Sequence, residues 1–272
     1  MQRITITIDD SLLNRLDSLV NTKQAKNRSA AVDSLLKSAL SQNSVETAVI
    51  LAAGKKDKLW SEKHNCIKPL AIIESKATGA TPMSVIELLL KKLGEAGSKR
   101  VIIVVGYGGD QIMALLKDGK QFGLTIEYIT DENNSGSAGA LLLCRQKINQ
   151  PFILAYSDVY CPDLDLLDLA KFHKENQANG AVCTLSLVNV KTPNAFGVAK
   201  LTGSKIVSFA EKPRAEAQSN LVNAGIAVCE PTIFDYVSKT PSSFEKELLP
   251  MLVEKEKLYG YIYSGKWMDV EL

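Results

Sequence analysis

Histidine is nearly absent: His64 and His173 are the only two in 272 residues, and no HxxxH or His/Cys cluster points to a transition-metal site. The five cysteines (Cys66, Cys144, Cys161, Cys183, Cys229) are odd in number, widely spaced and without a CxxC pair, which disfavours a disulfide framework or zinc site and leaves buried or idle thiols. There is no run of eighteen apolar residues, and the opening MQRITITIDD lacks the apolar core of a signal peptide, so a soluble, cytoplasmic protein is expected. No fixed-period repeat or low-complexity tract interrupts the chain. No GxGxxG follows the first strand pattern of the main unit, and VVGYGGDQ comes after a later one with different spacing, which sets aside a dinucleotide-dependent dehydrogenase. The net charge of +2 does not by itself announce a nucleic-acid partner.

The distribution of charge is more informative than its total. Residues 1–44 hold six basic groups against four acidic ones, leaving 26 of each sign in the remainder. In RITITID, Ile4, Ile6 and Ile8 alternate with Arg3, Thr5 and Thr7, the period-two pattern of a strand with one apolar and one polar face. Asp10 or Ser11 is expected to cap a helix carrying Leu12, Leu13, Leu16, Leu19 and Val20 on one stripe, and Ser29 to cap a second helix carrying Val32, Leu35, Leu36 and Leu40. A strand and two helices make too small a core to stand alone, and the strand has no partner within the segment, so dimerisation is expected. This pattern over residues 2–41 resembles the ribbon-helix-helix family of DNA-binding proteins. The resemblance implies a homodimer paired through the N-terminal strand, Arg3, Thr5 and Thr7 facing base edges of double-stranded DNA, and the helix start at Ser29 holding a phosphate.

SQNSVE forms a short polar link, so the expected organisation is residues 1–42, a linker at 43–46, and a main unit over 47–272. In the main unit TAVILAA, RVIIVVG, LTIEYI and PFILAY read as buried strands, with helical stretches such as MSVIELLLKKLGEAG and AGALLLCRQKI between them. That alternation predicts an α/β, Rossmann-like, mainly parallel sheet with helices on both faces. The later strands GAVCTLSLVNV, GVAKL, KIVSFA and LVNAGIAVCE follow one another more quickly, as an added mixed portion. A sheet of this kind binds ligands beyond the carboxyl ends of its strands, which places interest on LAAG at the end of the first one.

From Gly54 to Lys68-Pro69 the spacing matches LAAGxGTRLxPLTxxxPKP, and GSAGAL, YSDVY, FGVA, EKP, NAGI, FEKELLP and WMDV follow in order. Together these motifs resemble the sugar-phosphate nucleotidyltransferases over residues 47–270. The resemblance implies attack of a sugar-1-phosphate oxygen on the α-phosphorus of an NTP, giving an NDP-sugar and pyrophosphate. By it, Asp158 and Asp269 would hold Mg²⁺, Lys58 and Lys68 would be catalytic cations on the phosphates, and Ala52, Ala53, Gly54, Gly136, Ser137 and Gly139 would meet the nucleotide. Glu211, Lys212, Gly197 and Asn223 would bind the sugar phosphate. His173, in KFHKEN, is expected on a helix surface.

Within the loop, Lys56 stands for the family's second glycine, Asp57 for its threonine, Lys58 for its arginine and Ser61 for a proline. Lysine is expected to enter the glycine geometry only at a cost, and it does not reproduce arginine's planar fork. Asp269, in the last motif before Leu272, is expected to be loosely held. Two functions follow: a nucleotidyltransferase with an altered triphosphate loop coupled to a dimeric DNA-binding module, or a weakened domain that senses a nucleotide or NDP-sugar for a transcriptional regulator.

Overall fold

The structure, a computed structural model, describes residues 5–22, 25–41, 44–73, 82–215, 217–237 and 242–271. Arg3 and the start of the expected N-terminal strand lie outside the described residues. The chain divides into two compact units, Met1–Ser44 and Val45–Leu272.

In the first unit, helix α1 (Asp10–Asn21) is capped by Asp9, whose carboxylate accepts from the Leu12 N–H at 3.0 Å, one residue before the expected cap. Asp9 takes the extended backbone that a cap requires, with φ −72° and ψ 161°. Helix α2 (Arg28–Ser41) likewise starts earlier than expected: Asn27 Oδ1 accepts from the Ala30 N–H at 2.8 Å, so Ser29 lies inside the first turn instead of capping it. Leu16 and Ala31 are buried, and Arg28 forks onto Asp17 with bonds of 2.6 and 2.7 Å. Residues 5–9 form no strand ladder, because a lone ribbon has no backbone partner within one chain.

The second unit is built on a nine-stranded sheet: β1 (Thr47–Ala52), β2 (Arg100–Val105), β3 (Thr125–Thr130), β4 (Phe152–Tyr156), β5 (Cys183–Asn189), β6 (Gly197–Thr202), β7 (Lys205–Glu211), β8 (Leu221–Cys229) and β9 (Leu258–Ile262). The order across the sheet is β5-β9-β7-β6-β8-β4-β1-β2-β3, with β5 also pairing β8. Strands β4, β1, β2 and β3 are parallel neighbours, but β4–β8, β8–β6, β6–β7, β7–β9 and β5–β8 are antiparallel. The sheet is therefore mixed, not mainly parallel. The reason is local: β6 and β7 are joined by a two-residue turn containing Gly203 at φ +60°, and so short a link can only make a hairpin.

Successive residues of β1 face opposite cores. Ala48, Ile50 and Ala52 pack with Ile86, Leu89, Leu90 and Leu93 of α3 (Val85–Glu95), Ile112 of α4 (Gly109–Leu116) and Leu169 of α6 (Leu166–Gln177). Val49 and Leu51 pack with Leu141 of α5 (Gly136–Leu142) and Leu252 of α7 (Leu249–Glu254). Helices thus cover both faces, which explains why β1, β2 and β4 read as nearly unbroken apolar runs, whereas β3 at the sheet edge carries Glu127.

His173 is buried in α6, not on its surface: Nδ1 lies 2.8 Å from Thr184 Oγ1 and Nε2 lies 2.9 Å from Glu230 Oε1. Two polar partners on β5 and just beyond β8 remove the cost of burying an imidazole. Among the described residues no helix is long and apolar enough to cross a membrane, and all five cysteines are free.

Candidate active site

The parallel strand β4 ends at Tyr156, and the chain turns through Ser157 and Asp158 into a short strand, Val159–Tyr160. That strand pairs antiparallel with Met268–Asp269, placing Asp269 opposite Val159, and the Val270 N–H donates to the Asp158 carbonyl at 3.2 Å. A ladder of two residue pairs thereby brings together carboxylates from distant parts of the sequence. Asp269 is not loosely held: its Oδ1 accepts from the Glu271 N–H at 2.9 Å, Asp163 Oδ2 accepts from the Lys266 N–H at 2.7 Å, and the Trp267 indole donates to the Ala224 carbonyl at 3.0 Å.

Burial, followed by the charge of Asp269, raises the Asp158 carboxyl to about 6, while the positive charge of Lys68 works against that rise. The three groups therefore share one electrostatic neighbourhood. A carboxylate held back from ionising by a second carboxylate is a place where a cation lowers the energy. Among the described residues no group of three or more His, Cys, Asp or Glu side chains is arranged to hold a metal ion. Two carboxylates alone suit Mg²⁺, which commonly completes its shell with substrate phosphates and water.

Asp158 and Asp269 line a pocket of about 190 Å³ together with Gly197, Glu211, Lys212 and Asn223, so six of the expected site residues meet there. Tyr156, Phe196, Glu245 and Trp267 also line it and carried no assigned role in the sequence. The Tyr156 hydroxyl donates to Glu245 Oε1, while Glu245 Oε2 accepts from Ser137 Oγ at 3.1 Å. Burial raises the Glu211 carboxyl, the charge of Glu245 adds to the rise, and Lys212 and Lys246 oppose it. A wall of acceptors facing a lysine suits a ligand that carries hydroxyl donors and an anion. Gly197 is required for packing, because a Cβ there would lie 2.5 Å from Phe209 Cζ and 3.0 Å from Glu211 Oε2.

The expected nucleotide residues do not line this pocket. Gly54 follows Ala52 and Ala53 at the end of β1, and its carbonyl accepts from the Tyr107 N–H at 3.2 Å. Gly136 packs on the 242–245 segment: its φ is +76°, and a Cβ would lie 2.3 Å from the Ser242 carbonyl oxygen, which also accepts from the Ala138 and Gly139 N–H groups at 3.0 and 3.4 Å. Ser137 Oγ accepts from the Phe244 N–H at 2.8 Å. Lys58 is exposed on the short helix Lys56–Leu59. Lys56 starts that helix after Lys55 in an extended conformation, and no residue from Lys55 to Lys58 has a positive φ, so lysine meets no glycine-type backbone cost in this loop. The Lys56 ammonium instead sits 5.6 Å from the centre of the Trp60 ring.

Lys212 does carry backbone strain, at φ +45°. Lys212→Gly is expected to leave stability unchanged or raise it by up to about 1 kcal/mol while weakening sugar-phosphate binding by about tenfold to a hundredfold. Thermal melting and titration with a sugar-1-phosphate check both halves, and a less stable variant that binds like the parent contradicts them.

A sequence profile of the nucleotidyl transferase family matches residues 47–270. Mannose-1-phosphate guanyltransferase of Yarrowia lipolytica is 35% identical over 187 residues, covering 66% of this chain and 50% of that protein. The Saccharomyces cerevisiae protein of the same name is 33% identical over 214 residues, covering 75% of this chain and 57% of its own length. This chain thus spans about half the length of these curated relatives. Among solved structures, a UDP-glucose pyrophosphorylase complexed with UDP-glucose superposes with a TM-score of 0.66 at 20% identity, covering 84% of this chain and 94% of the other. HddC from Yersinia pseudotuberculosis, complexed with GMP-PN, gives 0.64 at 20% identity, covering 84% and 95%. At these identities the superpositions establish the α/β fold.

Proposed function

This chain belongs to the nucleotidyl transferase family, and on that premise we propose that residues 47–270 transfer a nucleotidyl group from an NTP to a sugar-1-phosphate, with release of pyrophosphate. The observation that carries the proposal is that Asp158 and Asp269 line one pocket with Glu211, Lys212 and Asn223, with Lys68 near enough for its charge to act on Asp158. GTP with mannose-1-phosphate is the first pair to test, given the names of the curated relatives. In this reading Glu211 accepts hydrogen bonds from sugar hydroxyls, Lys212 pairs with the sugar phosphate, and Gly197 and Asn223 shape the sugar side. Lys68 neutralises charge on the phosphates in the transition state, and Gly54 and its neighbours approach the nucleotide. Asp158 and Asp269 would hold Mg²⁺. Bound there, the ion would offset charge on both reacting phosphates. A pyrophosphate-release assay across NTPs and sugar-1-phosphates tests the proposal: product supports transfer, and silence across the whole panel removes it.

The altered loop favours a second reading. With Asp57 and Lys58 in place of the family's threonine and arginine, the domain would bind a nucleotide or NDP-sugar as a sensor without turnover. Tight ligand binding with no pyrophosphate release is the result that selects it.

For the first unit we propose a ribbon-helix-helix dimer that binds double-stranded DNA through Arg3, Thr5, Thr7 and the α2 start at Ser29. What supports this is apolar surface exposed among the described residues: Ile6 is 52% exposed, Leu12 46%, Leu35 49% and Leu36 51%. Thr5→Pro removes a ribbon N–H and is expected to convert the dimer to monomer and abolish DNA retention. Sedimentation that still shows a dimer contradicts pairing through this ribbon.

A further inference from the structure

We infer that Asn194 is a positioning residue for the sugar-phosphate side of the pocket, holding the turn in which Lys212 is presented. The inference rests on the nucleotidyltransferase reading for its function, though not for its geometry. Glu211 is the last residue of β7 and pairs with Gly197 at the start of β6. The Lys212 N–H then donates to the Phe196 carbonyl at 2.9 Å, and at this residue the backbone passes through φ +45°. A residue bearing a Cβ leaves that region unless the surrounding chain holds it there.

Asn194 supplies the hold. Its Nδ2 donates to the Pro213 carbonyl at 2.9 Å and to the Ala215 carbonyl at 2.7 Å, so one amide spans the two residues that follow Lys212 on either side of Arg214. Both partners are carbonyl acceptors, which fixes which end of the amide faces them. Asn194 itself sits in the short 3-10 turn Pro193–Ala195, immediately before Phe196, whose carbonyl receives the Lys212 N–H. Pro193 is buried and anchors this turn, and the Phe196 ring packs edge-on against Trp267 with centroids 4.7 Å apart. The Lys212 turn is therefore tied by one side chain to the opposite arm of the hairpin, and through it to the pocket wall. Asn194 is exposed and contributes little to the core, so its loss should loosen the turn without unfolding the domain.

The test uses the full chain and two variants. Asn194→Ala removes both donors, and Asn194→Asp turns a carboxylate toward two carbonyl oxygens. Hydrogen exchange at the Lys212 amide is expected to speed up by about tenfold in both, with the melting temperature within a few degrees of the parent. The KM for mannose-1-phosphate is expected to rise by about tenfold in Asn194→Ala and further in Asn194→Asp, with kcat and the KM for GTP changing by less than about twofold. Unchanged exchange at Lys212, or an equal loss on both substrates, overturns the inference. If the parent turns over no sugar phosphate, the transferase reading falls on its own, while accelerated exchange at Lys212 still establishes the clamp and parent-like exchange still removes it.

Discussion

Asp158→Asn is expected to lower nucleotidyl transfer on the order of 10³-fold or more while making the ligand-free protein more stable. The two effects share a cause. In the folded chain burial and the charge of Asp269 hold the Asp158 carboxyl near 6, above its ordinary 3.8. At neutral pH the ionised carboxylate therefore costs folding free energy, on the order of 1–2 kcal/mol once solvent screening is allowed for. Because the folded value is the higher one, the native state binds the extra proton between about 3.8 and about 6, and stability rises as pH falls through that window. The asparagine variant should be more stable at pH 7 and should lose this part of the pH dependence. Added Mg²⁺ should raise the melting temperature of the parent but not of the variant. A variant that melts below the parent at pH 7, yet responds equally to Mg²⁺, is incompatible with a metal-phosphate role for Asp158.

The second large effect concerns the loop. Asp57→Thr combined with Lys58→Arg is expected to raise kcat/KM for the NTP by about tenfold or more, with most of the gain from the arginine. Both positions are exposed on Lys56–Leu59, so the exchange should move stability by no more than about 0.5 kcal/mol. Removing Asp57 takes a negative charge away from an approaching triphosphate, and a guanidinium supplies two parallel donors where an ammonium supplies a point charge. Lys56 can stay, because its helical backbone does not call for glycine. An unchanged kcat/KM, with the variant folded, means that the loop does not meet the triphosphate.

What was legible in the sequence follows from how local each cause is. Strands β1, β2 and β4 are buried on both faces, so each reads as an apolar run, while β3 lies at the sheet edge with only Ile126 buried; α3 announces itself through the stripe of Ile86, Leu89, Leu90 and Leu93. Strand β9 was hidden because Gly260 breaks LYGYI; a Cβ there would lie 2.6 Å from Leu187 Cδ1, on a strand some seventy residues earlier. Helix α4 begins inside YGGD, where glycines mask its start. The burial of His173 depended on Glu230, 57 residues away, which no local pattern carries.

The site divides in the same way. Motif order pointed to Asp158, Asp269, Glu211, Lys212, Gly197 and Asn223, and these line one pocket. Tyr156 and Glu245 went unassigned although their motifs stood in view, because the bond between them spans 89 residues and the one from Ser137 to Glu245 spans 108. Gly136 also has a packing reason that its motif does not carry: its missing side chain makes room for the Ser242 backbone, more than a hundred residues further on.

Calorimetric titration of GDP-mannose into the full chain, with and without Mg²⁺ and alongside Asp158→Asn, tests the shared pocket most directly. The account predicts Mg²⁺-dependent binding by the parent, and in the variant weak binding that ignores Mg²⁺. Parent heats that are the same without Mg²⁺, or indistinguishable from those of the variant, would contradict it.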